Sequence, residues 1–139
     1  MTRIYRRTDR IEIKVRDIVV KIAPLTVHQK TEIQQAMLNG ARNSDIKEKT
    51  RGTLLALKYA VKDIQGVQES DGSPYVLSFE GEFLTDDCVN DLFNLEIARE
   101  LTMVCAGLIN GIPSEFTDQF GNKIEGVEFV KKESDSKNV

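Results

Sequence analysis

Residues 68–80, QESDGSPYVLSFE, gather acids around a Gly that follows an Asp, which is the outline of a calcium loop. An EF-hand loop needs oxygen ligands at its positions 1, 3, 5 and 12, and a Gly at position 6. Setting Gly72 at position 6 puts Asp71 and Glu69 at positions 5 and 3, but Val67 at position 1 and Ser78 at position 12. Two ligands are lost, the bidentate carboxylate among them, and Pro74 falls inside the loop. The stretch therefore reads as a DG turn leading into a strand, with Glu80 facing away from a Tyr75, Leu77 and Phe79 row.

The remaining reactive side chains form no machinery either. Glu80, Glu82, Asp86, Asp87 and Asp91 cluster in sequence. Such carboxylates can hold magnesium or move protons. Acids gathered at a helix start also simply favour the helix dipole. His28 is the single histidine, so no Ser/His/Asp or Cys/His arrangement can be assembled from sequence. Cys88 and Cys105 lack zinc-ligand spacing and fall in helix-like segments, as reduced core thiols of a cytoplasmic protein would. No phosphate-cradling glycine motif is present. The expectation is a protein that is not an enzyme, with no catalytic residue, metal or cofactor.

Charge is unevenly spread. The net charge is −3, yet residues 1–64 hold 14 Lys/Arg against 7 Asp/Glu, and residues 65–139 hold 5 against 15. This polarity could join subunits head to tail, or it could be two solvated surfaces of opposite sign. Arg3, Arg6, Arg7, Arg10, Lys14 and Arg16, with Tyr5 among them, could touch phosphates. The acidic whole and the lack of a reading motif make nucleic acid an unfavoured partner. No apolar run approaches the roughly 20 residues of a membrane span, and no apolar stretch follows the basic N-terminus as in a secretory signal.

The elements that must carry these residues follow from periodicity. Ile11, Ile13 and Val15 alternate with charged residues, and Ile18, Val20 and Ile22 line a second run. Arg16-Asp17 is either a tight turn between them or a bulge in one long strand. Thr26 and Gln29 make a capping box for a helix with Val27, Ile33, Met37 and Leu38 on its apolar side, stopped by Asn39-Gly40. Acids at Asp45 and Glu48 open a helix over 45–64, with Ile46, Leu54, Leu57, Val61 and Ile64 recurring along it. A strand follows Pro74. Thr85 or Asp86 caps the next helix, and Asn94 caps its continuation, with Ile97, Leu101, Val104, Cys105 and Leu108 as the buried stripe. Asn110-Gly111-Ile112-Pro113 ends it. Gly121-Asn122 fits a hairpin turn before a short strand holding Val127 and Phe129. The composition predicts one domain, 1–130, followed by a flexible polar tail, 131–139. The fold class expected is α+β: a small, mostly antiparallel sheet with an N-terminal β segment, covered by three to four helices.

Three blocks carry a family likeness: VKIAPLTVHQKTEIQQA, then KYAVKDIQGVQESDGSPYVLSFEGEFLTDDCVNDLFNL, then LTMVCAGLINGIP. Together, over most of residues 18–128, they resemble the tail assembly chaperones of long-tailed bacteriophages. The resemblance implies a non-enzymatic protein of the host cytoplasm. It would bind the helical tape measure protein and keep it soluble while the tail tube assembles, with homo-oligomerisation and contact with the tail tube protein as further expectations. An exposed amphipathic rod would otherwise aggregate. Under this reading Val27, Ile33, Met37 and Leu38 are candidate partner-binding residues. Lys131-Lys132 lie where members of this family often shift reading frame to make a longer product. A virion structural component, such as a connector or completion protein, is the alternative, and a nucleic-acid-binding regulator comes third.

Overall fold

Two antiparallel strands, β1 (Ile11–Val15) and β2 (Ile18–Ile22), open the fold. Val15 pairs with Ile18, so Arg16-Asp17 is a two-residue turn and the bulged single strand is excluded. No Gly is present, and Arg16 itself takes the left-handed conformation at φ 57°. Its N–H donates to the Gly126 carbonyl at 2.6 Å, which helps hold that unfavoured backbone in place. The computed structural model describes residues 3–130. The tail expected at 131–139, with Lys131-Lys132, lies outside the described residues.

The order continues α1 (Val27–Asn43), α2 (Ile46–Ala60), β3 (Val61–Gln65), β4 (Phe79–Glu80), β5 (Phe83–Leu84), α3 (Asp86–Phe93), α4 (Ala98–Gly107), a 3-10 turn at Leu108–Asn110 and β6 (Val127–Phe129). Four strands form one sheet in the order β3-β2-β1-β6, antiparallel throughout, and β4-β5 is a separate small hairpin. This is the α+β class expected. Ile11, Ile13, Val15, Val20 and Ile22 turn inward and share one core with Leu57 of α2, Leu92 of α3, and Leu101, Val104, Cys105 and Leu108. Both cysteines are free and buried, and burial pushes the Cys105 thiol up to about 12.

The capping box at Thr26 forms as expected, each partner's side chain bonding the other's backbone N–H. Asn39-Gly40 does not stop α1, which runs to Asn43. Gly40 is instead a contact point between helices. A Cβ there would lie 2.7 Å from the Lys49 backbone nitrogen of α2, closer than such atoms pack. Sequence alone could not separate a glycine that ends a helix from one that admits a neighbour.

The helix expected over 45–64 ends at Ala60, and Val61–Gln65 is strand. Val61 and Ile64 still face the core, because they pair with Ile22 and Val20 of β2. Tertiary pairing overrides a helical spacing that also satisfies a bulged strand. Ile46, expected in the buried stripe, is exposed.

The strand expected after Pro74 shrinks to Phe79–Glu80. The segment before it is anchored by side chains instead of a ladder: Tyr75 Oη donates to Asp91 Oδ2 at 2.9 Å and lies 3.3 Å from Cys88 Sγ, both on α3. Burial, then these partners, push the Tyr75 phenol up. The DG turn is present. Asp71 Oδ1 accepts from the Ser73 N–H at 2.9 Å and its hydroxyl at 2.6 Å, and Gly72 takes φ 90°. Those bonds hold the Asp71 carboxyl below its ordinary range.

Thr85 caps α3 through the Cys88 N–H, whereas Asn94 ends α3 as its C-cap and does not open α4, which begins only after Ile97. α4 is tied to the β1–β2 turn by Arg16 Nη2 and Glu100 Oε1, 2.7 Å apart. Burial pushes the Glu100 carboxyl up, but its own backbone amide, Arg16 and Arg99 outweigh burial and hold it below the usual carboxylate range.

Candidate partner-binding site

Of the four residues singled out on α1, two face one way and two another. Val27 and Leu38 are eleven residues apart, three helical turns, and share the outer side, where both are exposed. Ile33 and Met37 are one turn apart on the inner side. Ile33 is fully buried in the core, so it is no part of an outward surface. Met37 is half-buried at the edge of the core.

Met37 opens onto a groove of about 650 Å³ between α1, α4 and the segment 109–120. Its apolar lining comes from Met37, Met103, Ile109, Phe116 and Phe120. Met103 and Ile109 are half-buried, Phe116 is buried, and Phe120 is 78% exposed. Arg99 and Asp118 contribute the charges. A concave apolar surface with sparse polar groups suits a partner's apolar side chains, and unbranched Met adapts to their shapes.

The wall carrying Phe116 and Phe120 is a hairpin-like turn. Thr117 bridges Lys123, and Ile124 N–H donates to the Phe116 carbonyl at 3.1 Å. Asp118 Oδ1 accepts from the N–H groups of Phe120 at 2.8 Å and Asn122 at 3.0 Å. The two-residue turn expected at Gly121-Asn122 falls earlier: the Gly121 N–H donates to the Asp118 carbonyl at 3.1 Å, so Gln119-Phe120 are its central residues, and the flanks form a single bridge. The Phe116 ring stacks on Phe129 of β6, centroids 4.8 Å apart, which ties the wall to the sheet. Phe120 has no such support. Gly107 lies at the groove, where a Cβ would meet no atom within 4 Å.

Sequence reasoning found Met37 and missed Met103, Ile109, Phe116 and Phe120. One signal was available: a Phe directly before the Gly-Asn of a predicted turn, a place where polar residues are the norm. Val27 and Leu38 do not line the groove.

The acids that suggested metal or proton chemistry are dispersed. Asp86 pairs with Lys58 at 3.4 Å, Asp91 accepts from Tyr75, and Asp71 is occupied by Ser73. Among the described residues no group of three or more His, Cys, Asp or Glu could hold a metal ion. The opposite charges of the two halves meet within the chain, at Lys58–Asp86 and Arg16–Glu100. Among the described residues no helix is long and apolar enough to cross a membrane. Comparison with family models, with curated proteins and with solved structures gives no match to this chain.

Proposed function

We propose that this protein is a tail assembly chaperone of long-tailed phages, acting without catalysis in the host cytoplasm. It holds an apolar stripe of the tape measure protein in the groove of Met37, Met103, Ile109, Phe116 and Phe120 while the tail tube forms. The observation that carries this reading is that groove, open and apolar, with Phe120 exposed at its wall. A helix laid in a groove is recognised through side chains spaced three and four residues apart. Several copies along one rod, in contact with one another, would add avidity.

Co-expression with the tape measure protein of a long-tailed phage tests it. The wild-type chain should keep that protein soluble and co-purify with it. Gly107→Leu puts a side chain into open space at the groove and should abolish both effects with the melting temperature unchanged. Undiminished capture by Gly107→Leu and by Phe120→Ser would remove the groove from the reading. Recovery of the protein in mature particles would favour a virion component instead.

A further inference from the structure

A second cavity lies where α2 becomes β3, and its chemistry differs from that of the groove. Its volume is about 290 Å³. The junction has no loop: Ala60 ends the helix and Val61 begins the strand. The register then slips. Ile22 faces Val61 and Lys21 faces Asp63, so Lys62 is the extra, unpaired residue of a β-bulge. Bulges re-aim a side chain and are frequent beside functional sites. Here the bulged residue is a lysine that lines the cavity.

Arg7 and Arg10 reach the same cavity from the N-terminal segment. Among the described residues, no carboxylate comes within 4.0 Å of Arg7, Arg10 or Lys62. Glu82 is the one acid in the lining, and the Lys62 ammonium bonds its backbone carbonyl, at 2.7 Å. Three cations against one carboxylate leave about two positive charges unmatched. Burial lowers the Lys62 pKa, Arg10 lowers it further, and Glu82 only partly offsets them. The Arg10 and Lys62 charges therefore disfavour one another across the cavity.

Aromatic rings make the rest of the wall. The Lys62 ammonium sits 5.0 Å from the centroid of Phe83, and Tyr59 packs edge-on to Phe83 at 4.9 Å. Phe79 is 42% exposed. The Tyr59 hydroxyl is held by Glu32, outside the lining, so the ring and not the phenol is offered.

We propose that this cavity binds a phosphate monoester carried on a flat ring, of the size and charge of a nucleoside 5′-monophosphate. The monoester carries about −1.5 to −2 at neutral pH and matches the two surplus charges, which a lone carboxylate would not. A flat ring stacks on an exposed phenylalanine, as bases do on aromatic platforms. The cavity lies at the bottom of the usual range of about 300–1,000 Å³ for ligand pockets, which fits one phosphate and one ring but no dinucleotide. This site stands independently of the tape measure reading.

Calorimetry on the full chain tests it with AMP, inorganic phosphate and adenosine. AMP should bind, with phosphate and adenosine each at least about tenfold weaker. Arg10→Gln and Lys62→Gln should each weaken AMP about tenfold, the loss expected of one charge-assisted contact. Phe79→Ala should weaken AMP and leave phosphate unchanged. Arg10 is on the exposed N-terminal segment, so its variant remains informative even if Lys62→Gln disturbs the bulge. No heat with AMP at up to about 10 mM, or equal AMP binding by wild type and Arg10→Gln, would overturn the proposal. Affinity that climbs with the length of a single-stranded oligonucleotide would also overturn it, because a site sized for one nucleotide gains nothing from length.

Discussion

The groove and the cavity meet α1 at different points, the groove at Met37 and the cavity at Gln29, about 12 Å apart along the axis. They are built in opposite ways. The groove is walled by soft side chains and a turn whose outermost ring, Phe120, packs on little. One side of the cavity is set by backbone, a helix that becomes a strand without a loop and a bulge that turns Lys62, while Arg7 and Arg10 come from the N-terminal segment. A soft apolar surface accommodates a variable partner, whereas charges gathered around a lysine fixed by a bulge select one chemical group. The two regions share their support, the packed pair α1 and α2.

The largest effect should come from breaking that support. Leu57→Ala removes a fully buried side chain of α2 and should cost about 2–5 kcal/mol in urea unfolding, impairing both regions together. Loss of one function alone would show that the regions do not share a foundation. Gly40→Ala should come next. Alanine favours a helix by up to about 1 kcal/mol, but its methyl meets the α2 backbone and overpacking costs about 1–3 kcal/mol. A stabilised variant would mean that α2 can retreat from α1.

Glu100→Gln sharpens the comparison by acting on the groove side, since α4 carries both Glu100 and Met103. The folded pKa of Glu100 lies below its unfolded value. Its stabilisation is therefore present above the ordinary glutamate pKa, about 4.3, and is lost as pH falls through the folded value. The variant should lose stability at neutral pH and show a shallower acid limb in melting temperature against pH. An unchanged acid limb would mean that other carboxylates govern it. Asp71→Ala, remote from both regions, should do least. Faster amide exchange at Ser73 is expected, with melting unaffected by calcium before and after the change; a calcium-dependent rise in melting temperature would revive the loop as a metal site.

Legibility in the sequence followed the range of the interactions. The β1–β2 alternation, the Thr26 capping box and the stripe from Ile97 to Leu108 are local patterns, and all stand in the structure. The end of α2 was misplaced because Val61 and Ile64 suit a helix face and a bulged strand equally, and only pairing with β2 decides between them. The candidate site was legible at Met37 alone, because its other walls come from α4 and residues 109–120, brought together by tertiary packing. Neither bulge nor cavity has a local signature, since Lys62, Arg7 and Arg10 converge only once the chain has folded.

The loopless junction at Ala60 and Val61 also constrains how this chain can vary in length. One residue inserted near it would turn the preceding helical face by about 100° relative to the sheet and put the following strand's side chains on the opposite face. No spare residue there can absorb the change. Relatives of this protein should gain and lose residues in the 66–78 segment and keep the spacing from Leu57 to Ile64 fixed.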